Sequence, residues 1–446
     1  MLSQRTSRVA SLVCVGLAVS ILLGGCAGDP NTAASLGTSA GQSSGGADNA
    51  GSGAVPVHAA GAAYASGAGS TSGGASGGSE PTSAGGPPAS AGSAGAALAG
   101  QGGGGAGGTS GGANGAGAAG VTASDSVPLD PALLSKCTGT NPIVCAFDAS
   151  NGNYDVTAEV GDLAQAATSR LSAETLHYQG PAVDTAAGVL QKLTFTVNVR
   201  MEKHDGGQSA PGNILDVMIS SGAAAPKLHG IGFRAAKNAV TLFYAGDSTA
   251  CDWVDSNTSN LGPGETGTAQ ALSMYLKPGV AVANYADSGE TAASFYSKFF
   301  DPYATSLFKP GDFVFVQFGT NDSKDAATTA NGGTVYKDNL MKYVTAARAK
   351  NAIPVILTPV SRKGGTAADP GFQGLDQAAR DLAATQNVAL IDMTTLSRSY
   401  YASVTDKAAL FVDSGTHFSE LGATGVAGTL AKAIQSSTLA LTAFVK

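Results

Sequence analysis

The sequence predicts an α/β protein: a parallel β-sheet covered by helices on both faces, preceded by a small all-β sandwich and a long tether. Three observations predict this order. Near-continuous apolar runs alternate with helical stretches over residues 238–446, short alternating β-type runs occupy residues 127–237, and residues 26–126 are mostly Gly, Ala and Ser. Strands of a parallel sheet that is covered on both faces are apolar throughout, whereas half-exposed antiparallel strands alternate.

The first 25 residues have the composition of an export signal. Arg5 and Arg8 precede an apolar run, residues 9–23, that is too short for a comfortable membrane span. The "LGGC" that ends at Cys26 resembles the bacterial lipobox, in which the signal is cut before the cysteine and the thiol is lipidated. We therefore expect an exported protein that is lipid-anchored through Cys26 to the outer membrane or cell surface. An ordinary cleaved signal with a chance cysteine is the alternative.

The Gly/Ala/Ser-rich residues 26–126 cannot bury enough apolar surface to offset the entropy lost on ordering. We expect a disordered tether. A flexible chain of this length has a typical reach of about 50 to 60 Å. The folded part of the protein would therefore sample the space around its anchor.

Charge and cysteine content narrow the classes of partner. The net charge is −7 with a pI near 5.2, and no Lys/Arg cluster interrupts the acidic average, so no nucleic-acid partner is expected. Of the five cysteines, Cys14 leaves with the signal, Cys137 and Cys145 could close a short loop by a disulfide, and Cys251 is expected to be buried as a small apolar residue. No spacing predicts a zinc site, so no metal is expected, and we expect a monomer.

The sandwich prediction depends on three β-type runs separated by turn residues. They are residues 154–161, 193–201 and 214–220. Alternation at this spacing, without long helical periods, is typical of a small antiparallel sandwich. Such a module could bind carbohydrate or support its neighbour.

Five apolar runs after residue 238 predict the parallel sheet. They begin at Ala239, Val280, Asp312, Ile353 and Val388. Helical stretches are predicted over residues 291–300, 335–350, 372–385 and 420–435. Ligands of such sheets bind at the carboxyl ends of the strands, so functional residues are expected there.

Polar residues do occur at these strand ends. The first run ends in "YAGDSTA" with Ser248 on the turn, the second leads to Asn284 and Gly289, and the third ends in "FGTND" with Asn321. The last helix follows "DSGTHF", and His417 in that stretch is the only histidine of residues 238–446. A serine nucleophile needs a neutral imidazole to take its proton, and only His417 can supply one within this domain.

These four blocks, in this order, resemble those of the SGNH hydrolases, a family of serine esterases with a flavodoxin-like fold. The stretches from Tyr336 to Arg362 and from Ser288 to Phe295 are similar to the rhamnogalacturonan acetylesterase branch. The resemblance covers about residues 238–446. It implies Ser248 as nucleophile and His417 as base. The implied oxyanion hole consists of the backbone N–H groups of Ser248 and Gly289 and the side-chain amide of Asn321, with no metal or organic cofactor. Asp247 is expected to shape the turn.

Two positions depart from the family pattern. Asp413 lies four residues before His417 where the family usually has three, and Ser414 occupies that third position. We favour Asp413 as the partner of His417 because it carries the charge that stabilises imidazolium, and the flexible Gly415 could bring it round. Glu290 stands where a basic residue often follows the glycine of the second block. An acidic polysaccharide would be repelled there unless Arg362, Lys363 or Lys324 compensates.

The leading hypothesis is a surface-anchored carbohydrate O-acetylesterase acting on rhamnogalacturonan, pectin or a hemicellulose. Two alternatives stay open. One is a lipase, thioesterase or peptidoglycan O-acetylesterase of the same fold. The other is a non-catalytic carbohydrate-binding surface lipoprotein in which the sandwich carries the function.

Overall fold

The structure is a computed structural model that describes residues 126–174, 177–200, 213–222, 224–253 and 264–446. The predicted signal, Cys26 and the tether up to residue 125 lie outside the described residues. All the described residues belong to one compact unit, Gly115–Lys446. Within these ranges, no helix is both long enough and apolar enough to cross a membrane.

Among the described residues, the N-terminal all-β region has nine strands: β1 (Cys137–Thr138), β2 (Ile143–Asp148), β3 (Gly152–Asp162), β4 (Ala167–Ala173), β5 (His177–Tyr178), β6 (Val183–Thr185), β7 (Val189–Val199), β8 (Ile214–Ser220) and β9 (Leu228–Ala235). One sheet has the order β1-β2-β8-β4-β5, with β6 on β4, and the other has the order β7-β3-β9. Phe147 and Val217 of the first sheet share one buried core with Val156 and Phe195 of the second. The two sheets therefore form a sandwich, and a disulfide joins Cys137 to Cys145 at its start.

In the C-terminal half, the part that the structure describes contains five parallel strands: β10 (Val240–Gly246), β11 (Val280–Asn284), β12 (Phe313–Gln317), β13 (Ile353–Leu357) and β14 (Ala389–Ile391). Their spatial order, β11-β10-β12-β13-β14, is the 2-1-3-4-5 order of flavodoxin-like folds. The predicted fold class is confirmed. In this order the direction of winding reverses between β10 and β12, which is where a ligand crevice is expected.

The helices are α1 (Thr268–Leu272), α2 (Ala292–Phe295), α3 (Asp301–Tyr303), α4 (Ala326–Ala349), α5 (Leu375–Gln386), α6 (Met393–Ser403) and α7 (Glu420–Gln435). A π-helical turn, Tyr296–Phe300, joins α2 to α3. Helix α4 is interrupted at residues 330–333, where Asn331, Gly332 and Gly333 take left-handed φ angles of 53°, 64° and 69°. Two glycines in this run make the left-handed turn inexpensive.

Alternate residues of the parallel strands face two separate cores. Leu242 and Tyr244 of β10 pack with residues of α1, α6 and α7, whereas Phe243 and Ala245 pack with residues of α2, α4 and α5. Successive side chains of a strand point to opposite faces, so one apolar strand fills both cores. This explains why the strands read as continuous apolar runs.

The sandwich and the parallel sheet contact each other directly. The Asn153 amide donates a hydrogen bond to Thr241 Oγ1 (2.9 Å), and the Gly279 backbone N–H donates to Thr196 Oγ1 (2.9 Å). Arg170 of β4 forms a 2.6 Å ion pair with Glu420 at the start of α7. Polar contacts therefore connect several sandwich strands to the neighbouring domain.

Candidate active site

The turn after β10 presents Ser248 at the carboxyl edge of the sheet. The buried Asp247 accepts hydrogen bonds at Oδ1 from the Thr249 backbone N–H (3.0 Å) and the Thr249 hydroxyl (2.7 Å). Burial raises the pKa of Asp247 above its usual range. A side chain at Gly246 would meet Ala250 Cβ at 3.1 Å, so the glycine permits the close turn. Asp247 thus holds the turn together beneath Ser248.

A chain of two hydrogen bonds joins Ser248 to a carboxylate. His417 Nε2 is 2.9 Å from Ser248 Oγ, and His417 Nδ1 is 2.8 Å from Asp413 Oδ2. The side chains of His417 and Asp413 are 27% and 33% exposed. The geometry allows the imidazole to take a proton from the serine while its other nitrogen donates to the carboxylate.

The loop before α7 shows how a four-residue spacing brings Asp413 to His417. Asp413 Oδ1 accepts the backbone N–H groups of Gly415 (2.8 Å), Thr416 (2.7 Å) and His417 (3.1 Å). Gly415 has a φ of 135°, a conformation that favours glycine. Partial burial raises the pKa of the Asp413 carboxyl, but these N–H groups outweigh it and lower the pKa overall. Asp413 is therefore held in its charged form beside the imidazole.

Two further residues flank His417, and the sequence analysis did not single out either of them. Trp253 packs its ring edge-on against the imidazole (centroids 5.8 Å apart), and its indole N–H donates to the Ser248 carbonyl oxygen (3.0 Å). Glu265 Oε1 lies 4.0 Å from His417 Nδ1. A signal for Trp253 was available, since it is the only tryptophan of the chain and lies five residues after the serine.

The predicted oxyanion residues occupy the ends of neighbouring strands. Gly289 lies in the turn before α2 with a φ of 79°. Asn321 follows β12; its amide N–H donates to the Glu290 carbonyl oxygen (2.9 Å), and Lys324 donates to its Oδ1 (2.8 Å). The Asn321 side-chain amide is therefore held by hydrogen bonds at both its nitrogen and its oxygen.

Asn284 lies under the nucleophile turn. Its buried amide donates to the Ala250 carbonyl oxygen (2.9 Å) and to Asp252 Oδ1 (2.7 Å). The residue thus ties β11 to the segment that carries Ser248.

The Glu290 carboxylate forms an ion pair with Lys298. Its Oε1 lies 3.0 Å from Lys298 Nζ, and its other oxygen accepts a hydrogen bond from the Ser294 hydroxyl. Two of the three cations named as compensating for Glu290 have other partners: Arg362 donates to the Thr320 carbonyl oxygen (3.2 Å) and Lys324 donates to Asn321 Oδ1 (2.8 Å). The cation that pairs with Glu290 is Lys298.

A second buried carboxylate follows Asn321. Asp322 accepts the backbone N–H groups of Ala292 (3.0 Å) and Gly319 (3.1 Å). Burial, reinforced by the nearby charge of Asp247, raises the pKa of Asp322 to about 7, although the N–H groups oppose this. Among the residues that the structure describes, no group of three or more His, Cys, Asp or Glu side chains could hold a metal ion.

Comparison with known proteins identifies a family and several relatives. The GDSL-like Lipase/Acylhydrolase family matches residues 244–424. The chain is 31% identical over 213 residues to the "Probable rhamnogalacturonan acetylesterase YesY" of Bacillus subtilis (strain 168), covering 45% of this chain and 95% of the relative. The chain belongs to the GDSL-like lipase/acylhydrolase family. It is a carboxylic ester hydrolase.

Two further proteins to which the chain is similar also come from Bacillus subtilis. Rhamnogalacturonan acetylesterase RhgT of Bacillus subtilis (strain 168) is 27% identical over 224 residues, covering 46% of this chain and 94% of the relative. A crystal structure of the YxiM protein of Bacillus subtilis is 21% identical, with a TM-score of 0.42, and covers 67% of this chain and 81% of that one.

Proposed function

We propose that the protein is a carbohydrate O-acetylesterase that removes acetyl groups from rhamnogalacturonan, pectin or a hemicellulose. The observation that carries the proposal is the Asp413–His417–Ser248 chain of hydrogen bonds at the carboxyl edge of the sheet. Two curated relatives are named rhamnogalacturonan acetylesterases, which supports acetylated pectic polysaccharide as the substrate class.

The proposed reaction proceeds in two halves. Ser248 Oγ attacks the acetyl carbonyl while its proton moves to His417 Nε2, and collapse of the tetrahedral intermediate returns that proton to the departing sugar hydroxyl. Water then attacks the acetyl-serine by the same route, releasing acetate and restoring Ser248. Asp413 stabilises the imidazolium that forms in each half.

The negative oxygen of each intermediate would be bound by the backbone N–H groups of Ser248 and Gly289 and by the Asn321 amide. Loss of one such donor typically raises the barrier by about 2.7 to 4 kcal/mol. The two hydrogen bonds that hold the Asn321 amide support its assignment, since a donor that is already oriented needs no reorganisation during the reaction.

Replacing Ser248→Ala tests the nucleophile. We expect loss of acetate release from 4-nitrophenyl acetate by on the order of 10⁴-fold or more, with an unchanged melting temperature, because only the nucleophile's oxygen is lost. Acetate release from a panel of acetylated polysaccharides identifies the substrate. A Ser248→Ala protein that keeps its turnover would exclude the proposed mechanism.

We also propose that the enzyme is exported and lipid-anchored through Cys26. The proposal depends on the signal-like first 25 residues and the "LGGC" stretch. Labelled fatty acid should be incorporated into the wild-type chain and not into a Cys26→Ala variant. Equal incorporation into both would contradict it.

A further inference from the structure

A buried polar cluster lies beneath the nucleophile turn and joins the two domains. Its members are His177, Arg200, Asp252 and Asn284, none more than 2% exposed. His177 belongs to β5 and Arg200 follows β7, so both come from the sandwich, whereas Asp252 and Asn284 belong to the parallel-sheet domain. The cluster therefore depends on both domains.

The contacts converge on Asp252. His177 Nε2 lies 2.6 Å from Asp252 Oδ2, and an Arg200 guanidinium nitrogen lies 3.6 Å from the same oxygen. The Asn284 amide donates to the other oxygen (2.7 Å), and Arg200 also donates to the Asn284 carbonyl oxygen. Asp252 is completely buried, and these groups replace the water that its charge would otherwise require.

Asp252 lies in the segment that carries the nucleophile, residues 247–253, which we call the nucleophile segment. The Cys251 backbone N–H donates to the Asp247 carbonyl oxygen (3.2 Å), and Trp253 returns a hydrogen bond to the Ser248 carbonyl oxygen (3.0 Å). A displacement of Asp252 would therefore be transmitted to Ser248 along four residues of tightly bonded chain.

We propose that His177 and Arg200 are positioning residues: the sandwich fixes Asp252 and, through it, the placement of Ser248 against His417. This inference rests on the proposed function, because it assigns a role in placing the proposed nucleophile. The sandwich is then part of the catalytic unit, whether or not it also binds polysaccharide.

The physical reason is the cost of a buried charge that has lost part of its compensation. If His177 is removed, Asp252 Oδ2 loses its shortest contact and keeps the longer one to Arg200 (3.6 Å), so the carboxylate shifts to shorten that contact or to reach water. Misplacing a reacting group by about 1 Å can lower the rate about a hundredfold. Substrate contacts elsewhere in the cleft would be unchanged, so kcat should fall while KM stays nearly constant.

The test compares His177→Ala with His229→Ala in the full chain. His229 is a matched control because it lies in the same sandwich, is 42% exposed at its side chain and pairs only loosely with Glu159 (3.8 Å). Two quantities are measured: kcat and KM on 4-nitrophenyl acetate, and the rate at which iodoacetamide alkylates Cys251, read by mass spectrometry. Cys251 lies in the nucleophile segment and is completely buried, so alkylation of its thiol reports displacement without any ester hydrolysis.

We expect His177→Ala to lower kcat by about ten- to a hundredfold and to speed Cys251 alkylation by about tenfold or more, with His229→Ala unchanged. His177→Gln, whose amide can still donate to Asp252, should restore part of kcat and should slow Cys251 alkylation toward the wild-type rate. If His177→Ala does not fold, His177→Gln against His229→Gln gives the same comparison with a smaller fall in kcat.

Equal kcat and equal Cys251 alkylation in the His177 and His229 variants would overturn the inference while leaving the proposed function intact. Failure of the proposed function has a different signature: Ser248→Ala would then hydrolyse esters as fast as the wild type. The alkylation comparison still decides whether the sandwich holds the nucleophile segment in that case.

Discussion

Two carboxylate–imidazole pairs contact the nucleophile segment, one through Ser248 and the other through Asp252. The outer pair, Asp413–His417, has an O···N distance of 2.8 Å, and the inner pair, Asp252–His177, has one of 2.6 Å. The outer side chains are about one-third exposed, whereas the inner ones are 0% and 3% exposed. The two pairs use the same chemical groups at nearly the same distance, but only one of them can reach a substrate.

The difference shows that environment decides the role of a His–Asp pair. The outer imidazole has one nitrogen on a carboxylate and the other on Ser248 Oγ, so it can pass a proton to and from the reacting groups. The inner imidazole is enclosed with Arg200, and its contact with Asp252 contributes position only. Each pair can be perturbed separately, which makes the comparison testable.

The largest effect is expected where the outer pair is broken by Asp413→Asn. The carboxylate that stabilises imidazolium is lost, so kcat should fall by about 10³- to 10⁴-fold with little change in stability. Ser414→Ala is the matched control, since Ser414 occupies the position that the usual spacing would give the carboxylate. A fall in kcat confined to Ser414→Ala would reverse the assignment; steady-state kinetics on 4-nitrophenyl acetate distinguishes the two.

Trp253→Phe tests the residue that touches both Ser248 and His417. The variant loses the indole N–H bond to the Ser248 carbonyl oxygen, and a net loss of about 1 kcal/mol corresponds to about a fivefold fall in kcat. Tyr154→Phe loses a hydrogen bond of similar length within the sandwich, to the Ser150 carbonyl oxygen (2.8 Å), and should leave kcat unchanged. Equal kcat in both variants would show that Trp253 does not orient the nucleophile.

The smallest effect on activity, and a distinct effect on stability, is expected at Asp322. The Asp252 carboxylate faces Arg200 and His177, whereas the Asp322 carboxylate accepts backbone N–H groups. Burial raises the pKa of Asp322 in the folded state to about 7, above the ordinary 3.8. The folded protein thus holds a proton that the unfolded chain releases, so this contribution to stability is lost as pH rises from about 4 through 7.

Melting temperatures of wild type and Asp322→Asn at pH 5 and pH 8 measure this contribution. The wild type should lose a few degrees more than the variant between the two pH values, since about 1 kcal/mol corresponds to about 1.5 °C when roughly 300 residues unfold together. Parallel pH dependence of the two proteins would mean that Asp322 does not titrate in this range.

Much of the fold could be predicted because each strand of the parallel sheet is buried on both faces. The five apolar runs from residue 239 onward all became strands, and the helix predicted over residues 420–435 has the observed bounds of α7. The sandwich was harder. Strands β3, β7 and β8 matched predicted runs, but β4 ("ATSRLSA") was not predicted because its buried positions are largely polar or small. Tertiary packing, which a local pattern does not contain, decides such strands.

The candidate site likewise contains residues that the sequence pattern could locate and one that only tertiary packing reveals. Ser248, Gly289, Asn321 and His417 could be located from the sequence because strand ends gather at one sheet edge. Counting histidines within residues 238–446, however, could not reveal that His177 reaches the nucleophile segment across the domain boundary. Neither local pattern nor domain composition encodes a contact between residues 75 positions apart.

Strand β5 consists of two residues, His177–Tyr178, and its short length has a consequence for how the protein can be engineered. A cut at residue 238 would follow the change in sequence composition, but it would remove the imidazole that contacts Asp252. Sandwiches of related enzymes could be exchanged only if the graft keeps a histidine and an arginine in register with Asp252. The sandwich and the parallel-sheet domain therefore need to be transferred together, and the chain should not be cut between them.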